Sequence, residues 1–163
     1  MIDFWIRNAR PEDMEAIVAL NDAAFGGPDE ARIVRQLLAD GDSLVSLVAD
    51  TEAGICGHIE FFRILIDGAP AGAGLGPMCA EPGRQRSGIG SYLIRTGLEE
   101  LDMLGETIVF VLGHKDYYPK FGFETATTKP FKAPWSGPHF MALRLAPGGP
   151  EHGTLTYPKA FSG

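Results

Sequence analysis

The chain has 163 residues, of which 45% are apolar and 21% charged, so it is neither disordered nor too short to form one sizeable core. The formal net charge is −7 and no two Lys or Arg residues are adjacent, which argues against a groove that follows nucleic-acid phosphates. No stretch reaches the roughly 18 apolar residues of a membrane span. Asp3 and Arg7 are unlike the start of a signal peptide, so we expect a cytoplasmic protein that binds neither nucleic acid nor membrane.

The first half of the chain predicts one strand, two helices and then a meander of three strands. Pro11 suits the first position of a helix, and apolar residues follow at helical spacing until Gly26-Gly27-Pro28 interrupts them. Runs of β-type residues then alternate with turn signals such as Asp67-Gly68. The predicted strands are 3–9, 44–50, 55–64 and 71–80, and the predicted helices are 11–25 and 29–40.

The second half predicts a long helix, a buried strand and several shorter elements. Ile89, Leu93, Gly97 and Leu101 share one helical face, and Gly105 is a natural C-terminal cap. The predicted elements are a helix at 88–104, a strand at 107–112, a short helix at 116–120, strands at 124–128 and 140–145, and a Gly- and Pro-rich, loop-like tail at 146–163. This order indicates an α/β (α+β) fold, with helices on the faces of one mixed sheet. We expect a single domain over 1–163, with its core in 1–145.

A glycine loop, Gln85-Arg86-Ser87-Gly88-Ile89-Gly90, joins a predicted strand to the long helix. At such a junction, backbone N–H groups and the positive end of the helix point to one place, which favours an anion. Gly88 and Gly90 have no side chain, so phosphate oxygens can approach the backbone closely. On these residues alone, a tight connection whose glycines only satisfy the turn remains an alternative. We predict that the loop holds a pyrophosphate-bearing cofactor.

Two other phosphate-binding motifs lack residues that they need. A P-loop requires Lys and then Ser or Thr after its second glycine, where this chain has Ile89 and Gly90. A dinucleotide fingerprint requires a third glycine, where the chain has Leu93. It also requires an acidic residue after the next strand, which here ends in Gly113-His114. The P-loop is excluded and the dinucleotide site is weakly supported.

Two blocks of the sequence resemble the GNAT N-acetyltransferase superfamily. The cofactor motif of that family is a strand, then Gln/Arg-x-x-Gly-x-Gly/Ala, then a helix, and Gln85, Gly88 and Gly90 meet it in full. Tyr117-Tyr-Pro-Lys-Phe-Gly-Phe123 resembles the Tyr-x-x-x-Gly-Phe signature after the family's fifth strand. A helix and a strand separate the two blocks, as in the family. The resemblance implies a GNAT-like fold, a mixed and mostly antiparallel sheet of six or seven strands flanked by about four helices.

The resemblance also implies the acyl donor, acetyl-CoA, with no metal. The strand ending Met78-Cys79-Ala80 would pair with the two amides of pantetheine through its own backbone. The motif residue Gln85 precedes the amides that would cradle the pyrophosphate. Those amides belong to Arg86, Ser87, Gly88, Ile89, Gly90 and Ser91.

Acetyl transfer to an amine requires loss of a proton from the amine and protonation of the departing thiolate. A phenol of pKa about 10 stays protonated at pH 7 and can donate to the thiolate. Tyr118 holds the tyrosine position of the signature and is the predicted acid, the alternative being a half-buried aromatic with a surface hydroxyl. Tyr117 is then a packing neighbour, although an error of one place would exchange the two.

A base is needed because a lysine-like amine has a pKa of about 10.4. Glu60 ranks first: it lies two residues from His58 on a predicted strand, so both side chains share one face. A solvated Glu60 on an exposed face is an equally good interpretation. Further candidates are His114, Asp116 and Glu81, and some members of the superfamily are thought to use no single base.

Other chemistries lack their residues. His58-Ile-Glu60 matches half of a zinc deaminase signature, but no Pro-Cys-x-x-Cys follows. The four histidines show no metal-ligand spacing, and there is no G-x-S-x-G elbow. Cys56 and Cys79 lie in apolar runs and are predicted to be reduced, buried side chains.

We therefore predict an acetyl-CoA-dependent N-acetyltransferase that acts on a primary amine of a small molecule or peptide by direct attack. The alternative is a non-catalytic acyl-CoA-binding sensor or regulatory module. No motif defines the acceptor. Trp135 either lines the cleft or, as we favour, packs on the core from a surface loop. The tail at Tyr157 either covers the acceptor side or buries the strand edge of a neighbouring molecule. Exposed strand edges often pair, so a homodimer is a further expectation.

Overall fold

The part of the chain that the structure describes forms eight strands, three α-helices and four short 3-10 turns. The structure is a computed structural model and describes residues 3–84 and 87–162. The helices are α1 (Met14–Phe25), α2 (Asp29–Ala39) and α3 (Ile89–Met103). The strands are β1 (Trp5–Asn8), β2 (Ser43–Thr51), β3 (Gly54–Ile66), β4 (Ala69–Ala80), β5 (Ile108–Leu112), β6 (Phe131–Lys132), β7 (Phe140–Arg144) and β8 (Gly153–Thr156). The 3-10 turns lie at Pro11–Asp13, Tyr118–Phe121, Ala126–Thr128 and Lys159–Phe161.

The strand order of the sheet is β1-β2-β3-β4-β5-β7. Strands β1 to β4 are antiparallel neighbours, which confirms the predicted meander. The α3 crossover makes β5 parallel to β4, and β7 returns antiparallel to β5. Strand β8 pairs with β6 and with the end of β3, beyond the point where β2 pairs with β3.

Each face of the sheet has its own apolar core. Phe61 and Phe62 are adjacent on β3 and therefore point to opposite faces. Phe61 belongs to the α3-side core, together with Leu93 and Leu101 of α3. Phe62 belongs to the α2-side core, together with Leu37 of α2.

Helix α3 approaches the sheet closely through glycine. A Cβ on Gly97 of α3 would overlap the ring of Phe61. A Cβ on Gly57 of β3 would lie 2.5 Å from the Ile89 side chain. These contacts fix the distance between α3 and β3. They therefore also fix the position of the N-terminus of α3, which follows the glycine loop.

Several predictions for the second half of the chain are wrong. Residues 124–128 form no strand, because Glu124 makes only an isolated bridge to Ala142 and a 3-10 turn follows. The helix predicted at 116–120 is a single 3-10 turn. The tail is not loop-like, because Leu155 of β8 pairs with Ile66 of β3. The sheet thus has eight strands rather than six or seven, and three α-helices flank it rather than about four.

Within residues 3–84 and 87–162, no helix is long and apolar enough to cross a membrane.

Candidate active site

Strands β4 and β5 pair briefly and then separate. Their parallel ladder ends at Leu75 and Val111, although β4 continues to Ala80. Over this last stretch β4 keeps its antiparallel partner β3, and among the described strands nothing pairs with its other edge. The backbone groups of Met78 and Cys79 on that edge face a gap in the sheet, which is where the sequence predicts the pantetheine arm.

A β-bulge marks the point of divergence. Ile59 pairs with Met78 and Phe61 with Leu75, so β4 accommodates one more residue than β3 does. Gly76 within the bulge has a φ of +136°, a conformation that disfavours any side chain. Because a bulge bends its strand, β4 turns away from β5 at this position.

Helix α3 begins beside the unpaired stretch of β4. Its first backbone hydrogen bond runs from the N–H of Tyr92 to the C=O of Gly88, so the amides of Ile89, Gly90 and Ser91 have no acceptor within the helix. Gly88 precedes the helix with a φ of +90°. These amides lie at the positive end of the helix, where a phosphate is favoured.

Of the predicted cradle residues before the helix, Gln85 and Arg86 lie outside the described residues. Ser87 donates both its backbone N–H and its hydroxyl to the C=O of Arg84. Its amide is thus engaged within the loop. Arg84 in turn forms an ion pair with Asp3 near the N-terminus.

Gly90 is a contact point between three elements. A Cβ on Gly90 would lie 2.9 Å from the hydroxyl oxygen of Tyr117 and 3.5 Å from Cε of Met78. The missing side chain therefore makes room for the Tyr117 hydroxyl. Tyr117, expected only to pack, places its polar end beside the first turn of α3, and the Nζ of Lys120 lies 4.5 Å from its ring centroid.

Tyr118 lies across the gap, after β5. Its ring packs edge to face against Tyr117 and Phe123, and it fills the space that a Cβ on Gly113 would need. Burial, with a smaller contribution from Tyr117, raises the pKa of Tyr118 to about 12. The phenol is therefore protonated at neutral pH, as a proton donor must be.

A cavity of about 330 Å³ extends from the gap into the α2-side core. At the gap it is lined by Leu75, Gly76, Pro77, Met78, Leu112 and Tyr118. The remaining lining is almost entirely aromatic and comes from separate segments of the chain: Phe25, Phe62, Phe110, Trp135, Tyr157 and Phe161. The cavity thus joins the strand gap to an apolar chamber.

Four of these side chains form an aromatic wall, namely Phe62, Trp135, Tyr157 and Phe161. Ring centroids are 4.5 Å apart for Phe62 and Phe161 and 4.7 Å apart for Trp135 and Tyr157. Trp135 lies in a loop and packs partly buried against the α2-side core, as favoured from the sequence, and it also lines the cavity. Tyr157 and Phe161 of the tail contribute to the lining of this cavity.

Glu30 was not among the candidates from the sequence, yet it lines the same cavity. It lies in the first turn of α2 and is partly exposed. No Lys or Arg of the described residues forms a salt bridge with it.

Cys79 on β4 carries an unreactive thiol. Burial, with a smaller contribution from the charge of Glu30, raises the pKa of Cys79 to about 12.

Glu60 lies in a buried polar cluster away from the cavity lining. Its carboxylate accepts hydrogen bonds from the hydroxyls of Ser43, at 2.8 Å, and Ser46. The Nε2 of His58 lies 3.2 Å from the same carboxylate, and Asn21 contacts Nδ1 of the ring. Glu60 and His58 are both fully buried, so neither is the solvated side chain considered as an alternative.

The other candidate bases are exposed and do not line the cavity either: Glu81, His114 and Asp116. The structure therefore brings Tyr118 to the gap but brings none of the predicted bases there. In the parts of the chain that are described, no group of three or more His, Cys, Asp or Glu side chains is placed to hold a metal ion.

The chain belongs to the GNAT acetyltransferase family. The model of the family described as "Acetyltransferase (GNAT) domain" matches residues 5–126, which is most of the chain. This match confirms the resemblance drawn from the two sequence blocks and the fold class expected from it.

Similar proteins are acetyltransferases by name. The uncharacterized N-acetyltransferase YjhQ of Escherichia coli K12 is 40% identical over 132 residues, which cover 77% of this chain and 73% of YjhQ. The structure of the GNAT family N-acetyltransferase YhbS of Escherichia coli, in complex with CoA, matches with a TM-score of 0.90 and 28% identity over 99% of this chain and 93% of that chain. A GNAT family acetyltransferase of Brucella melitensis, in complex with acetyl-CoA, matches with a TM-score of 0.84 and 35% identity over 97% of each chain.

Proposed function

We propose that the protein is an acetyl-CoA-dependent N-acetyltransferase that acetylates a primary amine by direct attack. One observation carries the proposal: an unpaired strand edge, the first amides of a helix N-terminus and a protonated tyrosine meet at one gap in the sheet. The edge belongs to residues 76–80 of β4, the amides to α3, and the tyrosine is Tyr118.

The residues at the gap fit the proposed donor. The backbone groups of Met78, Cys79 and Ala80 can pair with the amides of pantetheine as an added strand would. The amides of Ile89 and Gly90 can hold the pyrophosphate at the positive end of α3. The relatives from Escherichia coli and Brucella melitensis, crystallised with CoA and acetyl-CoA, support the same donor here.

When bound, acetyl-CoA supplies a thioester whose carbonyl carbon accepts the amine. A C–N bond forms to that carbon and the C–S bond breaks, so that an acetamide and CoA are the products. Tyr118 gives its phenolic proton to the departing sulfur and recovers a proton from water. The proton lost by the amine goes to solvent.

The identity of a base is not part of the proposal. Both oxygens of the Glu60 carboxylate are engaged by Ser43 and Ser46, and this carboxylate does not line the cavity. The cavity opens to the surface, so an amine within it can lose its proton to water without a dedicated side chain. Glu60 and His58 are better explained as a satisfied polar pair that packs α1 against β3.

The proposal is tested by measuring thiol release from acetyl-CoA with a panel of primary amines, alongside calorimetry of acetyl-CoA binding. We expect amine-dependent thiol release. Tight acetyl-CoA binding without turnover of any amine would refute the enzyme and favour a non-catalytic acyl-CoA-binding module.

Gly90→Ala tests the donor cradle. The family motif accepts Ala at this position, but in this chain the added Cβ would lie 2.9 Å from the Tyr117 hydroxyl and would crowd Met78 at the start of α3, so we expect the KM for acetyl-CoA to rise about tenfold, or roughly 1.4 kcal/mol. Gly27→Ala is the matched control, because a Cβ there meets no atom within 4 Å. Equal KM values for the two variants would contradict the placement of the cradle.

A further inference from the structure

The part of the cavity beyond the strand gap, where the acceptor would bind, is apolar except for one carboxylate. Six of its lining residues there are aromatic, and Glu30 is the one charged residue in the described lining. An anionic group in this chamber would meet the carboxylate of Glu30 with no cation to offset it. A cationic nitrogen would meet that carboxylate and the negative faces of the aromatic rings.

The wall also limits the body of the acceptor. Phe62, Trp135, Tyr157 and Phe161 present rings in contact with one another, a surface that favours apolar or aromatic groups. A cavity of about 330 Å³ lies at the lower end of the range for small-molecule sites. Part of that volume belongs to the strand gap, so the acceptor is compact.

On the basis of the proposed function, we propose that the acceptor is a compact monocationic amine with an apolar or aromatic body and no carboxylate or phosphate. Glu30 binds the ammonium group as the acceptor enters, and the aromatic wall holds the body. The same nitrogen then loses its proton to water and attacks. Glu30 is a specificity-determining residue in this assignment, and Trp135 contributes to the surface that holds the body.

A purely structural role for Glu30 makes a different prediction. An acidic side chain in the first turn of a helix interacts favourably with the helix dipole, and Glu30 occupies that position in α2. If this were its whole role, Glu30→Gln would lower the Tm slightly and leave the affinity for amines unchanged. Affinity for a defined amine therefore separates the two roles.

The experiment is calorimetry on the CoA-loaded protein with two probes of matched shape. 2-Phenylethylamine carries an ammonium group, and 3-phenylpropionate carries a carboxylate on the same two-carbon chain. We expect the wild type to bind the amine and not the acid. Glu30→Gln should weaken binding of the amine about tenfold or more. Glu15→Gln, on the exposed face of α1, is the matched control and should bind as the wild type does.

A second variant tests the aromatic wall without changing a residue of α2. Trp135→Ala should weaken 2-phenylethylamine more than it weakens methylamine, because only the larger amine has a body to lose contact. Binding of the acid as tightly as the amine, or wild-type affinity in Glu30→Gln, would overturn the proposal, as would the absence of amine binding.

Failure of this inference is distinguishable from failure of the proposed function. Thiol release with other amines but no binding of 2-phenylethylamine leaves the acetyltransferase standing and removes the acceptor class. Glu30-dependent binding of 2-phenylethylamine without thiol release from any amine leaves the amine site standing and removes the enzyme.

Discussion

Replacing Tyr118 by Phe isolates the proposed proton donor, because it removes one oxygen and keeps the ring. The edge-to-face contacts with Tyr117 and Phe123 depend on the ring and remain. Within the described residues, burial and Tyr117 rather than a hydrogen bond raise the pKa of the phenol, so the change leaves no partner unsatisfied there. We therefore expect the free energy of unfolding to change by less than about 0.5 kcal/mol.

The expected effect on catalysis is much larger than the effect on stability. A positioned acid typically contributes about 10²–10⁴-fold, so kcat should fall at least about 10²-fold, or roughly 2.7 kcal/mol in the barrier. The KM for acetyl-CoA should stay within about threefold, because the hydroxyl is not part of the α3 cradle. Since burial holds the pKa of Tyr118 near 12, wild-type activity should not decline between pH 8 and 10 through loss of this proton.

The assay is thiol release with the fastest amine of the panel, with Tyr117→Phe as the matched control. Tyr117 presents its hydroxyl to Gly90 rather than lining the cavity, so the control should keep kcat within about threefold. A kcat for Tyr118→Phe close to that of the wild type would refute the assignment of the acid. The reverse result, with the loss in Tyr117→Phe, would assign the role to the neighbouring residue.

Two further predictions concern stability. Gly97→Ala should lower the free energy of unfolding in urea by about 1–3 kcal/mol, because its Cβ would overlap the ring of Phe61. The control Gly27→Ala should change this free energy by less than about 0.5 kcal/mol, and equal urea midpoints for the two variants would contradict the close approach of α3. Asp13→Asn should cost about 1–2 kcal/mol at pH 7, because the hydrogen bonds from Arg7 lower the pKa of Asp13 to about 2. This contribution to stability is present above the ordinary pKa of 3.8 and is lost as the pH falls through 2, so the Tm values of the wild type and Asp13→Asn should converge near pH 2. A difference in Tm that stays constant with pH would argue against the ion pair between Arg7 and Asp13.

The sequence is sufficient for those parts of the fold whose signals are local. The helical face of α3 and the turn at Asp67-Gly68 are written in neighbouring residues, and the structure confirms both elements. Strand β8 was missed because its pairing partner, Ile66, lies far away in the chain. Residues 124–128 have a strand-like composition, but only Glu124 finds a partner.

The same division holds for the site. The proposed cradle amides follow a contiguous motif at Gly88 and Gly90, because the chemistry proposed there belongs to the backbone. The acceptor chamber has no such motif, since its wall gathers side chains from β3, a loop and the tail. Glu30 is indistinguishable in sequence from any acid that begins a helix, and its place beside the cavity depends on how α2 packs in the fold.

The contribution of the tail to the cavity affects the order in which the protein is assembled during synthesis. Chains emerge from the ribosome N-terminus first, and a domain generally folds as a unit. Helix α3 and strand β5 precede Tyr157 and Phe161 in the chain, so the residues of the strand gap are synthesised before these two rings. Until β8 docks on β3, Phe62 has an uncovered flank. Closure of the aromatic chamber therefore depends on a late segment of the chain, which carries Tyr157 and Phe161.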